Sequence, residues 1–335
     1  MKMKKFLAGF TAMVLCVSAF TGCGGSATAE STDDTASVDK VIIGTQEMPN
    51  DEGIAKALNY FSDEMGVEVE LKKFDSGKDV NTAIASGSID FGLMGTCPAS
   101  LAIAQDLGVE FIWIHEVLGS VESLVAREET GIKTVADLKG KKVAVPFAST
   151  AHFSVLKAIE DAGMTAADVQ LLDLATDKIY ASYIWQPTLG QLKNQTVILT
   201  SEDMANKGYM TANVEVVRKE FAEAHPDIVA GYIRALNKAV KLYNDDKVSA
   251  VSSIATSMQL EESDAEFQMS GSKWLTAEEQ IGADYLGTSS AKGAVVKNLM
   301  DTAEFLKDQG SIQEVPEQAV FEAAVNPSYI EAALK

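Results

Sequence analysis

The sequence has few of the residues from which catalytic and metal sites are most often built. Its 335 residues include only 3 cysteines and 3 histidines, and the histidines are scattered at positions 115, 152 and 225. It contains no Gly-x-Ser-x-Gly turn, no lysine-containing phosphate loop and no His-Glu-x-x-His zinc pattern. We therefore expect no metal, no cofactor and no enzymatic activity, with a secreted hydrolase as the alternative.

Basic residues are also scarce, with 28 lysines and arginines against 48 acidic residues and a net charge of -20. An acidic surface repels phosphate backbones, so nucleic acid is excluded as an expected partner. A small anion in one buried pocket is not excluded by the surface charge. With 47% hydrophobic residues and only 7 prolines, the composition is that of a globular protein rather than a disordered, collagen-like or coiled-coil chain.

Long apolar runs are absent apart from Phe6–Phe20 at the N-terminus. With its basic start and the small residues that follow, this run predicts a secretory signal peptide over residues 1–22, and it is too short for a permanent membrane span. Cys23 then resembles the lipid-accepting cysteine of a bacterial lipobox. This predicts an extracytoplasmic protein anchored by lipid to the outer face of the cell membrane, with plain secretion as the alternative. The polar stretch 23–39 predicts a flexible tether.

The three cysteines leave no internal disulfide to expect. Cys16 lies in the predicted signal peptide and Cys23 is the predicted lipidation site, so only Cys97 remains in the body. Cys97 could be a nucleophile served by His115 or His152, or it could be a small, partly buried thiol beside a proline.

From residue 40 onward, short apolar strands alternate with amphipathic helices. A helix is predicted over 79–86, and Gly95-Thr96-Cys97-Pro98 begins another, with Thr96 as its N-cap. From Pro226 the pattern is largely helical, with no convincing strand. Strand, helix, strand and helix in this order predict an α/β fold with a mostly parallel sheet and a helical C-terminal region. Before this helical region, strands are predicted at 41–44, 67–71, 89–93 and 142–145.

Several segments resemble the substrate-binding proteins of bacterial ABC importers for taurine and other aliphatic sulfonates, a family that also includes nitrate and thiamine-precursor binders. The resemblance extends from residue 40 to about 310. Its segments are Lys73-Phe74-Asp75-Ser76-Gly77, Ala83-Ile84-Ala85-Ser86-Gly87-Ser88-Ile89-Asp90, Asp137-Leu138-Lys139-Gly140-Lys141-Lys142-Val143-Ala144-Val145-Pro146-Phe147, Ser149-Thr150-Ala151-His152, Val216-Val217-Arg218-Lys219-Glu220-Phe221 and Trp274-Leu275-Thr276-Ala277.

The resemblance implies a two-lobed periplasmic-binding-protein fold of type II, with two crossovers between the lobes. Lobe 1 would comprise residues 40–125 and 216–335, and lobe 2 residues 126–215. It also implies a monomer that delivers a sulfonate to an ABC permease and its ATPase. The alternatives are a nitrate-like anion or a thiamine precursor as ligand, or a sensory role for a surface lipoprotein.

A sulfonate is a compact anion, and the N-terminus of a helix suits it because free N–H groups and the positive end of the helix dipole meet there. One such N-terminus is predicted in each lobe, both after strand ends, where ligands bind in open α/β sheets. The residues at these two N-termini would show the same sequence pattern if they only capped their own helices. They are Gly95, Thr96 and Cys97 in lobe 1, and Ser149 and Thr150 in lobe 2.

Further ligand-binding candidates come from the resemblance. Tyr183 and Trp185 match an aromatic segment that lines the cleft, although either could be a core aromatic residue. Gln46 follows the first strand and matches a cleft glutamine. His152 could donate to the sulfonate or fill a helix surface, and Glu122 could neutralise an amine or be a solvated surface carboxylate.

The sequence departs from taurine binders at one position of chemical importance. Those proteins carry an aspartate, able to pair with the ligand amine, in a Thr-x-Asp-x-Trp stretch. Here the corresponding residues are Thr211 and Asn213, so the charge is lost. An unaminated alkanesulfonate then becomes a plausible ligand, unless Glu116, Glu122 or Glu215 supplies the charge.

A second departure concerns lobe 2. Strands are predicted at 171–174 and 180–185, which leaves only residues 175–179 between them, whereas a parallel crossover usually takes a dozen or more. This predicts the deletion of one helix, with a changed local topology or a weakened lobe that exposes apolar surface.

Overall fold

The computed structural model describes residues 38–173 and 179–335. The predicted signal peptide, the lipidation site Cys23 and all but the last two residues of the predicted tether lie outside the described residues. So does the central part of the predicted deletion, at 174–178. Among the helices that are described, none is both long and apolar enough to cross a membrane.

Eleven strands among the described residues form two mixed sheets. The first sheet has the order β11-β4-β10-β3-β1-β2 and the second β7-β6-β8-β5-β9. The strands are β1 (Lys40–Thr45), β2 (Glu68–Lys73), β3 (Phe91–Gly95), β4 (Val109–Leu118), β5 (Glu122–Arg127), β6 (Lys142–Ala144), β7 (Gln170–Leu172), β8 (Ala181–Trp185), β9 (Gln195–Thr200), β10 (Ala212–Arg218) and β11 (Ser272–Lys273).

The expectation of mostly parallel sheets is wrong. β1 is parallel to β2 and β3, and β6 is parallel to β7 and β8, but β10 and β5 are antiparallel to both of their neighbours. β5 and β10 are the first strands after the two passages of the chain between the sheets.

These passages are residues 119–121 and 201–211. The predicted lobe boundaries at 125/126 and 215/216 fall inside β5 and β10.

The helices surround the two sheets. The predicted helix 79–86 is α3, which begins at Gly77 because Ser76 accepts a hydrogen bond from the Asp79 N–H. The helices are α1 (Asp51–Ala57), α2 (Tyr60–Met65), α3 (Gly77–Ala85), α4 (Thr96–Ala104), α5 (Thr150–Asp161), α6 (Thr188–Gln191), α7 (Ser201–Ala205), α8 (Lys219–Ala224), α9 (Pro226–Asp245), α10 (Lys247–Met258), α11 (Glu262–Met269), α12 (Ala277–Gln280), α13 (Val295–Asp308), α14 (Gln318–Ala324) and α15 (Ser328–Ala333).

Two expectations about local structure are corrected. Gly95, not Thr96, is the N-cap of α4, because Thr96 already has helical geometry as the first residue of that helix. The C-terminal region is mainly helical but contains one short strand, β11, whose two residues pair with the end of β4. This pairing places the C-terminal region directly beside the first passage between the sheets, where the Val121 N–H approaches the Gly271 carbonyl oxygen at 3.4 Å.

Each sheet has its own core, and α13 contributes to both. In the first core, the Tyr232 ring of α9 stacks on Phe61 and Phe91 with centroid distances of 5.0 and 4.4 Å. In the second, Phe153 of α5 packs edge-on against Phe305 of α13 at 5.3 Å. Through these contacts, α9 packs against the first sheet and α5 packs against α13.

The short connection between β7 and β8 has a simple geometric basis. Both strands are parallel to β6 and flank it, with Leu172 paired to Ala144 and Ala181 paired to Val143. β8 therefore begins at the level where β7 ends, and the chain needs to span only about 10 Å across β6. The predicted parallel order is kept with an eight-residue connection, 173–180. The predicted deletion of a helix concerns residues 174–178, which lie outside the described residues.

Candidate functional site

A cavity of about 470 Å³ lies where the strand ends of the two sheets face each other. Gln46 follows β1 and Gly95 ends β3, while Pro146 follows β6 and Trp185 ends β8. These are carboxyl ends of parallel strands, the edge at which open α/β sheets bind ligands. The described residues that line it are Gln46, Met48, Pro49, Ser76, Gly77, Lys78, Gly95, Pro98, Leu101, Glu116, Leu118, Val121, Glu122, Pro146, Phe147, Ala148, Ser149, Thr150, Asp173, Trp185, Gln186, Asn213, Gln268, Ser272 and Ser311.

The two predicted helix N-termini meet at this cavity. A Cβ atom built on Gly95 would lie 2.8 Å from the Thr150 Cγ2, so the N-cap residue of α4 closely approaches the first residue of α5. The absence of a side chain at Gly95 is therefore what allows one helix N-terminus from each half of the molecule to approach the other. Two positive dipole ends directed at one cavity favour an anion there.

The hydroxyl groups at the start of α5 have partners within the protein. Ser149 caps the helix, with its Oγ accepting from the His152 N–H at 3.2 Å and donating to the Pro146 carbonyl at 2.6 Å. Thr150 Oγ1 donates to Glu122 Oε2 at 2.6 Å. The first-turn N–H groups of α5 are consequently the donors that the helix itself provides for a ligand.

Two buried glutamates line the cavity, one from each sheet. Burial raises the pKa of Glu116 and of Glu122 to about 7, although hydrogen bonds from Asn213 to the former and from Thr150 and Ser201 to the latter oppose the shift. Both side chains are therefore poised between the neutral and the charged form near neutral pH. Lys78 supplies a positive charge to the lining, but its side chain is exposed.

Asn213 and Glu116 lie opposite each other on β10 and β4. The Asn213 Nδ2 donates to Glu116 Oε1 at 2.6 Å and lies 3.1 Å from Met48 Sδ. The pairing skips His115, which forms a bulge in β4, so that Asn213 is matched to Glu116 while the next residue is matched to Ile114. A carboxyl group thus lies next to the position where the expected aspartate is missing.

Beneath this pair lies a buried ionic network centred on His115. Its Nδ1 lies 2.7 Å from Asp51 Oδ1, and its Nε2 lies 2.9 Å from Glu215 Oε2, which also accepts from the Tyr232 hydroxyl at 2.8 Å. Burial opposes ionisation of His115, but the two carboxylates together hold its pKa well above the usual value. The nearby Glu52 has its pKa raised to about 8, chiefly by burial. The residue at the centre of the network, His115, is the one left unpaired by the β4 bulge, and it directly precedes Glu116.

Aromatic side chains close one side of the cavity. Trp185 lines it, as does Phe147, whose ring stacks on the His152 imidazole at a centroid distance of 4.8 Å. Gln46 also lines the cavity, with its Nε2 held by the Leu93 carbonyl at 3.1 Å. These groups offer a small apolar surface and one oriented amide to a ligand.

The structure brings Gln46, Gly95, Glu122, Ser149, Thr150, Trp185 and Asn213 together around the cavity. Thr96, Cys97, His152, Tyr183 and Thr211 are buried outside its lining. Tyr183 instead contacts the Ser201 hydroxyl at 3.1 Å, and the His152 Nδ1 accepts from the Ala148 N–H at 3.3 Å. Burial, reinforced by the charge of Glu122, raises the pKa of the Cys97 thiol, which keeps it protonated, whereas the thiolate is the nucleophilic form.

Several residues that line the cavity are not among the candidates predicted from the sequence. Phe147 and Ser76 belong to segments that carry the resemblance, and their position just after strand ends was a usable signal. Gln268 and Ser272 come from the helical C-terminal region, which gave no indication of a site. Among the described residues, no group of acidic, histidine and cysteine side chains could hold a metal ion.

Two mixed sheets that enclose a small cavity at their facing strand ends define the periplasmic-binding-protein fold. The chain belongs to the NMT1/THI5-like family, whose model matches residues 53–249. It is 33% identical to the taurine-binding periplasmic protein of Escherichia coli (strain K12) over 291 residues, which cover 82% of this chain and 88% of that protein.

Solved structures confirm the fold. The alkanesulfonate-binding protein from Xanthomonas axonopodis pv. citri, solved bound to MOPS, superposes with a TM-score of 0.69 at 21% identity, covering 87% of this chain and 99% of the other. The periplasmic aliphatic sulphonate binding protein from Escherichia coli gives 0.68 at 21% identity, with coverage of 85% and 92%. A desulfurization enzyme shares the fold as well, with a TM-score of 0.62 at 16% identity over 89% of this chain and 99% of the enzyme. The fold alone therefore does not decide between binding and catalysis.

Proposed function

We propose that this protein is the extracytoplasmic substrate-binding component of an ABC importer and that it captures taurine or a related aliphatic sulfonate. The observation that carries the proposal is the contact between the N-termini of α4 and α5 at one cavity. The 33% identity to a taurine-binding protein supports the same ligand class. The chain performs no chemistry on its ligand; it holds the ligand and passes it to a permease.

The sulfonate would lie at the two helix N-termini, where backbone N–H groups satisfy its three oxygens. Residues before 119 and after 211 would form one lobe, and residues 122–200 the other, with the two passages as hinges. Closure follows from differential affinity, because only a closed arrangement lets both N-termini reach the same anion. Anchoring through Cys23, a monomeric state, and permease and ATPase partners complete the proposal.

The geometry favours a ligand that also carries an amine. Glu215 lies below the cavity, outside its lining, where its Oε2 contacts His115 and Tyr232, and both oxygens of Glu122 accept hydroxyl hydrogen bonds. Glu116 faces the cavity and accepts a hydrogen bond from Asn213 on one oxygen. We therefore assign the ammonium group of taurine to Glu116, which would replace the charge that Asn213 lacks.

A thermal-shift titration tests the ligand class. A ligand that binds only the native state raises the melting temperature as its concentration passes the dissociation constant. We expect shifts with taurine and with ethanesulfonate, the larger one with taurine, and none with nitrate or a pyrimidine thiamine precursor. The absence of a shift with both sulfonates, from a cooperatively folded sample, would overturn the proposal.

A further inference from the structure

The carboxyl group of Glu122 joins three parts of the molecule that a closing binding protein has to coordinate. Glu122 is the first residue of β5, directly after the first passage between the sheets, and it is fully buried. Its Oε2 accepts from Thr150 Oγ1, at the start of α5, at 2.6 Å. Its Oε1 accepts from Ser201 Oγ, at the start of the second passage, at 2.7 Å.

Within residues 38–173 and 179–335, no positive charge balances this carboxyl group. Among the described side chains, no lysine, arginine or histidine lies within ion-pair distance of Glu122. The titratable groups whose ionisation its charge affects are the Cys97 thiol of α4 and the Tyr183 phenol of β8, and burial together with Glu122 raises the pKa of both. Both groups are neutral near pH 7, so an ionised Glu122 adds an unbalanced negative charge at the end of the cavity where the sulfonate is expected.

The hydroxyl of Thr150 has a single proton to donate. While Glu122 is ionised, that proton is directed to Glu122 Oε2, and the hydroxyl offers the cavity only its lone pairs. A protonated Glu122 can instead donate its own O–H to Thr150 Oγ1 and still accept from Ser201 on its other oxygen. The Thr150 proton is then free to be donated to a ligand oxygen.

We propose that Glu122 is a positioning residue for anion binding: it takes up one proton from solvent when the sulfonate binds, and so redirects the Thr150 hydroxyl from Glu122 to the ligand. This inference rests on the proposed function, since it presupposes a sulfonate at the N-terminus of α5. It adds that binding is linked to protonation at a residue that also contacts both hinges. The proton passes from solvent to Glu122, and no covalent bond other than O–H is made or broken.

The test is the proton uptake on binding, measured by calorimetry in buffers of different ionisation enthalpy between pH 6 and 8.5. Ethanesulfonate is the probe, because it has no amine to titrate. The measurement is made in Glu116→Gln protein, which removes the other cavity glutamate whose pKa burial raises to about 7. We expect uptake of up to one proton per ligand, with affinity that is highest below pH 7 and falls by up to about tenfold per pH unit above it.

The matched variant adds Glu122→Gln, which keeps the side-chain shape and is neutral at every pH. Its amide can accept from one hydroxyl and donate to the other, so we expect retained binding, no proton uptake and affinity independent of pH. Ser201→Ala is a second variant that does not depend on Glu122→Gln folding. It removes a hydrogen bond that favours ionised Glu122, and should therefore move the onset of the affinity loss to higher pH.

The outcomes separate the two proposals. If neither ethanesulfonate nor taurine binds at any pH, the proposed function fails. If a sulfonate binds without proton uptake, or if the uptake persists after Glu122→Gln, the assignment of Glu122 is overturned while the proposed function stands.

Discussion

At the scale of single residues, a carboxyl group on a neighbouring strand lies beside the position of the expected aspartate. The aspartate expected at position 213 is an asparagine, and Glu116 of β4 lies 2.6 Å from its amide nitrogen. When Glu116 is ionised, the pair offers an oriented acceptor with a negative charge, as a single aspartate would. Residue 213 can therefore be neutral without making the site uncharged.

Glu116→Gln should separate the recognition of the amine from that of the sulfonate. Loss of a charge-assisted hydrogen bond costs about 1.5–3 kcal/mol, so taurine affinity should fall by roughly tenfold to a hundredfold. Ethanesulfonate affinity should rise, because a negative charge leaves the cavity. Calorimetric titration with both ligands measures this. Glu110→Gln, a buried glutamate of β4 outside the cavity lining, is the control; equal losses for both ligands in Glu116→Gln would refute the assignment.

The N-terminus of α5 gives a second residue-scale prediction. Combining Ser149→Ala with Thr150→Ala removes the helix cap and the hydroxyl that contacts Glu122. We expect taurine binding to weaken by about tenfold or more, the scale of one or two lost hydrogen bonds, and the cap loss to lower stability by about 1 kcal/mol. Titration calorimetry and denaturant unfolding measure the two effects. Unchanged affinity would remove the anion from this helix.

At the scale of elements, the approach of α4 to α5 is controlled by one glycine. Gly95→Ala places a methyl group 2.8 Å from the Thr150 Cγ2 and should push the two N-termini apart, with a loss of sulfonate affinity of about tenfold. Adding Thr150→Ser deletes that Cγ2 atom and keeps the hydroxyl. We expect the double variant to recover most of the affinity in a titration; failure to recover would mean that Gly95 acts in another way.

The second sheet gives an element-scale prediction about stability. Tyr180, Leu192 and Val197 belong to this half of the molecule and are exposed. With apolar surface left in water, we expect a lower melting temperature than that of the Escherichia coli taurine-binding protein, measured side by side without ligand. Equal melting temperatures would contradict the prediction of a weakened lobe.

The sequence predicted the elements better than their assembly. The period-two pattern at 67–71 and the buried run at 142–145 identified β2 and β6 to within a few residues, because both signals are local. The central position of β10 between β3 and β4 could not be predicted, since it depends on pairings across more than 90 residues.

The same difference between local and long-range signals explains which residues of the candidate site could be predicted from the sequence. Gly95, Ser149 and Thr150 were identified because a helix N-terminus after a strand is a local pattern. Glu116 is one of three acids that the sequence offers for the missing charge, because its pairing with Asn213 involves a bulge in β4 that no local pattern indicates. Phe147 stacks on His152 and lines the cavity, whereas His152 does not, and sequence spacing does not show this difference.

At the scale of the whole molecule, buried glutamates make stability depend on pH. Burial raises the pKa of Glu52 to about 8, and that of Glu116 and Glu122 to about 7. The folded state then holds these protons more tightly than the unfolded chain, so the free energy of unfolding should increase as the pH falls from about 8 to about 5. A rise from 4.5 to about 7 corresponds to about 3 kcal/mol per carboxyl group.

Urea unfolding at pH 5.5, 7 and 8.5 measures this effect. Glu122→Gln should flatten the pH dependence, whereas Glu314→Gln, which alters an exposed glutamate, should leave it as it is. Stability that increases between pH 5.5 and 8.5 in the unaltered protein would show that these groups are charged in the folded state.

The order of the strands along the chain also predicts the order in which the two sheets form during folding. β5 to β9 come from one continuous stretch of chain, 122–200, whereas the first sheet stays divided until β10 is inserted between β3 and β4. Closing a long loop delays the contacts that depend on it. During refolding, backbone amides of the second sheet should therefore become protected from hydrogen exchange before those of β3 and β4, and the cavity should be the last part of the molecule to form.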